Sequence, residues 1–308
     1  MKLKKIVLKP LLIERMKKLL NPSDLGRFKK VIEKPPQNSI RCNTLKINPE
    51  KLKEKLINKG WKIKQPFKDY PEIMIIEGKF SEKEPIISHI GVGGRGKEGG
   101  KNLILLEPGE LGNSLEHLLG YYYVQDIASM LSIIALKPNK NEIILDLCAS
   151  PGSKTTQIAA KVENTGTIIA NDLSISRLQI LSANLERCGV TNTIITRKDA
   201  IKFCEQVKKT GILFDKILLD APCSGEGTLR SSYRTSLMWN SNTIKSLSKL
   251  QKKMFKNAFE ILKPQGEIVY STCTHAPEEN EEVVDFALKE FKGKIKIEKI
   301  NLPLKTRK

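Results

Sequence analysis

The chain has 308 residues, 40% of them hydrophobic, and a formal net charge of +19. That length provides for about two domains with cores of their own. No apolar run reaches the ~18 residues a membrane span requires, and the lysine-rich start lacks a signal peptide's apolar stretch. The expected setting is therefore cytoplasmic, with no membrane partner. Six cysteines are dispersed without a C-x-x-C spacing, so no metal is expected, and each reads first as a free, buried thiol.

The charge is uneven. Residues 1–68 hold 20 Lys and Arg against 5 Asp and Glu, a net +15. A solvated lysine-rich surface would spread its excess along the chain, whereas a confined excess suits a polyanion, because phosphates release counterions to such a patch. Nucleic acid is the expected partner.

Residues 11–20 and 51–60 have helical periodicity, the second stopped by Gly60, while "IRCNTLKIN" and "PEIMIIEG" read as short strands. Together they predict a small α+β domain, placed at residues 1–111. Its one low-complexity piece, "GVGGRGKEGG", reads as a basic loop. "YYYVQD" could stack on bases or divide between core and surface.

From residue 142 apolar runs alternate with helical segments: "EIILDLC", a helix from Lys154, "GTIIAND", a helix over 175–187, "NTIITRKDA", a further helix, "FDKILLD", a long helix over 246–262, and "GEIVYSTCT". This alternation predicts an α/β fold with a doubly wound, mostly parallel sheet over residues 112–308. Ligands of such sheets lie beyond the carboxyl ends of the strands. Asp146 to Lys154, Asp172, Asp199, Asp220 to Cys223 and Thr272 to Thr274 all fall there.

"DLCASPGSKTT" echoes a phosphate-binding loop, but Ser153 stands where that motif needs glycine before lysine. A tight Pro-Gly turn followed by a strand-end carboxylate suits a nucleoside instead: Gly152 admits close approach and Asp172 can accept from ribose hydroxyls. Asp199 taken singly reads as a helix N-cap.

Five ordered segments, "RCNTLK", "YVQDIASM", "DLCASPGSKTTQIA", "LLDAPCSGEG" and "VYSTCTHAPEENEEVV", resemble the motif series of the Sun-type RNA (cytosine-5) methyltransferases, including the archaeal-type tRNA m5C enzymes. The resemblance spans residues 41–284. It implies a class I, Rossmann-like methyltransferase domain that uses S-adenosylmethionine, a preceding RNA-binding domain, and a cytosine in RNA as substrate. Transfer RNA is the expected RNA, with ribosomal RNA the other candidate.

Cytosine C5 accepts a methyl group only after a thiolate adds at C6, and the charge pushed into the ring needs a nearby acid. Cys223 and Cys273, at the ends of what should be adjacent strands, both qualify, and residue chemistry does not order them. The resemblance assigns attack to Cys273, product release to Cys223, and support of the base to Asp220 with Lys154. It also implies cofactor contacts from Cys148, Ala149, Ser150, Pro151, Gly152, Ser153 and Lys154, with Asp172 at the ribose, Asp199 near the adenine, and Arg177 and Asp220 alongside. Cys42, Cys188 and Cys204 are expected to pack, and Arg230 and Arg234 to meet phosphate or solvent.

Two departures stand out. Ser153 replaces the family's usual glycine, and the chain reaches Lys308 after "IKIEKINLP", read as a sixth strand, without the family's final inserted strand. A fragment, or a separate polypeptide supplying that strand to an otherwise monomeric chain, is the corresponding expectation. A catalytically weak RNA-binding or assembly factor is the competing function.

Overall fold

The computed structural model describes residues 8–81, 97–98, 101–107 and 109–304. The chain opens with α1 (Pro10–Leu19) and α2 (Pro22–Ile32), each with proline in its first turn, where the missing N–H costs nothing. Next come β1 (Asn38–Cys42), α3 (Pro49–Asn58), β2 (Trp61–Lys64), β3 (Ile73–Ser81), β4 (Lys97–Glu98) and β5 (Lys101–Ile104). After the single turn α4 (Leu115–Leu118) and the short β6 (Tyr122–Val124), α5 (Ile127–Leu136) leads into the second sheet.

The first sheet has the order β4-β5-β3-β1-β6, with β2 also on β3, and all its pairs are antiparallel. Because β6 pairs with β1, this sheet takes a strand from beyond residue 111. Of the expected strand "IRCNTLKIN" only the beginning is extended: the chain turns at Asn43, whose carbonyl accepts from the Lys46 and Ile47 amides. Tyr122 and Tyr123 are buried while Val124 and Asp126 are exposed, so "YYYVQD" divides between core and surface. Of the glycine-rich segment, Lys97 and Glu98 form β4; its remaining residues lie outside those described.

The second sheet follows the predicted alternation: β7 (Ile143–Asp146), α6 (Ser153–Lys161), β8 (Thr167–Asp172), α7 (Ile175–Cys188), β9 (Thr193–Arg197), α8 (Ala200–Thr210), β10 (Phe214–Asp220), α9 (Tyr233–Met238), α10 (Ser241–Phe259), β11 (Leu262–Ser271) and α11 (Glu281–Glu290). Its strands are parallel throughout, in the order β11-β10-β7-β8-β9. Alternate residues face opposite ways: Leu218 packs with Ile158 and Ile133 beneath α6 and α5, while Ile217 and Leu219 pack with Phe203, Met254 and Ala258 of α8 and α10. Helices therefore cover both faces.

Two boundaries shift. The long helix starts at Ser241, where the Asn240 side chain caps it, and ends at Phe259, so Leu262 opens β11. "IKIEKINLP" forms no strand: regular alternation makes one only beside a partner with free backbone groups, and Ile297 and Ile300 stay exposed. Among the described residues the outer edge of β11 pairs with no strand.

The α1–α2 pair does not lie on the antiparallel sheet. Leu12, Met16 and Ile32 pack on Leu229, Trp239, Ile244 and Ala276, around the loops that leave β10 and β11.

Candidate active site

β10 and β11 end level, with Asp220 opposite Ser271. Past this point the chain turns twice, carrying Cys223 and Cys273 until their Sγ atoms stand 3.1 Å apart. Both are free thiols. The Cys273 amide donates to Cys223 Sγ at 3.2 Å. Cys273 is exposed and Cys223 is half-buried.

The two thiols are not equivalent. A hydrogen bond from Cys223 holds the Cys273 thiol below its ordinary value, and the Lys154 charge adds to that, against burial and Asp220. The same contact, followed by burial, pushes the Cys223 thiol up. Cys223 is therefore the weaker acid of the pair, and Cys273 has the larger thiolate fraction.

Asp220 is held at both oxygens: Lys154 Nζ donates to Oδ2 at 2.7 Å and Ser271 Oγ to Oδ1 at 2.7 Å. The Lys154 side chain is only 13% exposed, so it is not the solvated first-turn lysine its position could have made it.

The loop after β7 supplies the second half of the site. Gly152 has φ +102, and a Cβ there would stand 2.8 Å from Leu181 Cδ1, so only glycine fits. Ser153 opens α6 with negative φ, and its replacement of glycine leaves the turn intact. Asp172, buried at the end of β8, accepts from the Ser150 and Ser174 amides and meets Arg177 Nη1 at 3.3 Å. Arg177 Nη2 also donates to the Ser150 carbonyl at 2.5 Å. Asp199 Oδ1 caps α8, accepting from the Ile201 and Lys202 amides, each at 3.1 Å.

This loop fits a nucleoside cofactor. Ser150 Oγ and Asp146 Oδ1 are buried beside it without a hydrogen-bond partner among the described residues, and the apolar side chains of Leu173 and Ile175 lie exposed past the end of β8. Burial pushes the Asp146 carboxyl up to about 7, although Thr155 Oγ1 donates to Oδ2 at 2.7 Å. Burial also pushes the Cys148 thiol up, which makes it unreactive. Cys42, Cys188 and Cys204 are buried, as expected of packing residues.

Sequence reasoning gave no role to Arg41, Asn43 or Lys46, which lie within the quoted "RCNTLK". Arg41 is 2% exposed. Its guanidinium donates to Gln125 Oε1, to the Ser153 carbonyl at 2.6 Å and to Thr156 Oγ1 at 2.8 Å, tying β1 to the first turn of α6. Asn43 Nδ2 donates to the carbonyls of Gly120 and Cys188, and Lys46 Nζ to those of Leu119 and Arg187. These donors satisfy orphan carbonyls at the ends of both α4 and α7. The segment thus docks one sheet on the other. Its only signal in the sequence was two cations and an amide in a strand-like run.

Parallel strands in this order, helices on both faces and a glycine turn after the first strand define a class I methyltransferase domain, the class whose methyl donor is S-adenosylmethionine. The chain belongs to the RsmB/F family: the family described as 16S rRNA methyltransferase RsmB/F matches residues 133–306. It is 40% identical over 295 residues to the tRNA (cytosine(49)-C(5))-methyltransferase of Pyrococcus abyssi, covering 96% of this chain and 83% of that protein. It is 38% identical over 285 residues to the ribosomal RNA small subunit methyltransferase F of Psychromonas ingrahamii, covering 91% of this chain and 53% of that one. The chain thus spans about half the length of the ribosomal relatives it matches. Among solved structures, NSun6 from Pyrococcus horikoshii superimposes with a TM-score of 0.75 at 28% identity, over 92% of this chain and 87% of that one. A methyltransferase homologue from the same organism gives 0.68 at 31% identity, over 92% and 84%.

Proposed function

We propose that the chain transfers a methyl group from S-adenosylmethionine to C5 of a cytosine in transfer RNA, through a covalent bond between Cys273 and C6. The observation that carries this reading is the asymmetric thiol pair, 3.1 Å apart, beside the Lys154–Asp220 ion pair at 2.7 Å. The exposed Cys273 thiolate attacks C6, and the electron pair of the C5=C6 bond moves into the ring towards N3. The proton shared between Lys154 and Asp220 Oδ2 meets that charge. The resulting enamine makes C5 nucleophilic. Residues 148–154 with Asp172, Arg177 and Asp199 would hold S-adenosylmethionine, which would supply the methyl group to C5 and depart as S-adenosylhomocysteine.

After transfer the C5 proton leaves to a base, its electrons restore the C5=C6 bond, and the C6–S bond breaks. The Cys223 S–H then stabilises the departing Cys273 thiolate. Proton-bearing Cys223 is suited to release and poorly suited to attack.

Transfer RNA is favoured because the Pyrococcus abyssi relative, named for that substrate, is matched along 83% of its length. The α1–α2 pair supports an RNA surface next to the chemistry: Lys17, Lys18, Arg27, Lys29 and Lys30 are exposed on helices packed around the Cys273 loop. Arg234, exposed on α9 beyond the Cys223 loop, adds a phosphate contact, with Arg230 beside it. Among the described residues no helix is long and apolar enough to cross a membrane. Among the described residues the edge of β11 is unpaired, which leaves room for a further strand from a longer form of this polypeptide or from another.

The test is incubation with labelled S-adenosylmethionine and transfer or ribosomal RNA, comparing the native chain with Cys273→Ala and Cys223→Ala. Label at cytosine C5 that Cys273→Ala abolishes, with a protein–RNA adduct that accumulates in Cys223→Ala, is the expected result. Label in ribosomal RNA alone moves the substrate. Adduct formation that survives Cys273→Ala overturns the assignment of attack.

A further inference from the structure

Two thiols in contact on neighbouring loops could exchange roles if either loop shifted. The backbone on both sides of Cys223 is held against this. The peptide before it is held at the Pro222 carbonyl, which accepts from Gln251 Nε2 at 2.9 Å. The peptide after it is held at the Ser224 amide, which donates to Glu279 at 3.0 Å (Oε2) and 3.4 Å (Oε1). Gln251 Nε2 also donates to Glu279 Oε2 at 2.8 Å, so one amide and one carboxylate grip both sides of a single residue.

The grip reaches the other thiol as well. Glu279 lies in the 3-10 turn Pro277–Glu279, which follows the Cys273 loop, and its carbonyl accepts from Tyr270 Oη at 2.6 Å. Ser224 Oγ and Thr274 Oγ1, next to the two cysteines, are 2.8 Å apart. Fixing Ser224 against Glu279 therefore fixes the Cys223 loop relative to the Cys273 loop.

Packing does not account for Gln251. It is 0% exposed, and its Oε1 has no hydrogen-bond partner among the described residues. An orphaned buried acceptor is destabilising, and an apolar side chain of the same volume would avoid it. What an apolar residue could not do is donate to the Pro222 carbonyl and to Glu279.

We infer that Gln251 and Glu279 are positioning residues that hold the Cys223 S–H on Cys273, and so decide which of two chemically alike thiols attacks and which assists release. Both are buried away from any substrate, so they act through Cys223. The inference rests on the two-thiol reading above, and its test separates the two.

The test follows iodoacetamide labelling of each cysteine against pH, resolved by peptide mass, with no RNA or cofactor present. The native chain should label at Cys273 well before Cys223. Cys223→Ala, which removes the donor, should move the Cys273 midpoint up by about one pH unit, a tenfold change in thiolate. Glu279→Gln and the volume-conserving Gln251→Met should move it in the same direction and bring Cys223 labelling within about tenfold of Cys273. In the RNA reaction both should accumulate the adduct, as expected of Cys223→Ala. A change in Cys223→Ala with unchanged profiles in both Gln251→Met and Glu279→Gln overturns the inference and leaves the two-thiol reading standing. No Cys273 preference in the native chain, or no change in Cys223→Ala, overturns both. Should Glu279→Gln fail to fold, Gln251→Met carries the same readout.

Discussion

Replacing Arg41 by methionine keeps the volume of a buried side chain and removes its guanidinium. Three hydrogen bonds go, to Gln125, to the Ser153 carbonyl and to Thr156. Bonds to a charged donor contribute roughly 2 kcal/mol each, or about 6 together. Against this, the variant no longer buries a charge. Desolvation lowers the Arg41 pKa from 12.5 to about 10, which corresponds to roughly 3 kcal/mol of strain relieved. The net loss is therefore about 3 kcal/mol, part of it because the Ser153 carbonyl keeps only Thr156 Oγ1, at 3.1 Å, as a side-chain donor. That carbonyl belongs to the loop assigned to the cofactor, so affinity for S-adenosylmethionine should fall about tenfold, or 1.4 kcal/mol. Arg41→Lys should recover little, because one ammonium cannot reproduce a planar fork with several acceptors. Urea unfolding and calorimetric titration with S-adenosylmethionine measure the two effects. An Arg41→Met chain with the native urea midpoint and native affinity would refute the view that this residue locks the first sheet to the cofactor loop.

Three further outcomes are expected. Gly120→Ala would place a Cβ 1.8 Å from the Arg187 carbonyl at φ +72; the sheets must part there, and thermal unfolding should show a loss of at least ~3 kcal/mol or separated transitions. Glu226 is buried, accepts from Trp239 Nε1 at 2.8 Å and stands 3.6 Å from Arg15 Nε. Glu226→Ala should destabilise by about 3–5 kcal/mol and loosen α1 from the Cys273 loop, with Trp239 fluorescence reporting the change. Asp146, with its carboxyl raised from 3.8 to about 7, keeps a proton in the native state that the unfolded chain releases. Its contribution to stability is full below about pH 4 and is lost as pH rises through 7, up to about 4 kcal/mol. Asp146→Asn should flatten that slope in denaturation curves taken from pH 5 to 8, and an unchanged slope would remove Asp146 as its source.

Periodicity was enough to place the parallel strands, because strands buried on both faces read as short apolar runs between helices: "FDKILLD" matches β10 residue for residue. It also set Asp220, Cys223 and Cys273 at or just past the strand ends, since a polar cluster straight after such a run lies beyond the carboxyl end of its strand. Periodicity misled where a strand depends on its neighbour. "IKIEKINLP" alternates correctly yet pairs with nothing among the described residues, and "RCNTLK" looks extended but turns to cap α7. The inequality of the two cysteines is a tertiary fact. Residue type makes them alike, and only the meeting of the β10 and β11 loops, with Lys154 across from Asp220, makes Cys273 the more acidic thiol and Cys223 the less. Buried polar groups such as Arg41, Gln251 and Glu279 were equally hidden, because a charge or amide in the sequence carries no mark of whether folding will bury it. The amino-acid order by itself thus determined which strands form and which side chains stand at their ends; the tertiary structure decided their partners, and through those partners their protons.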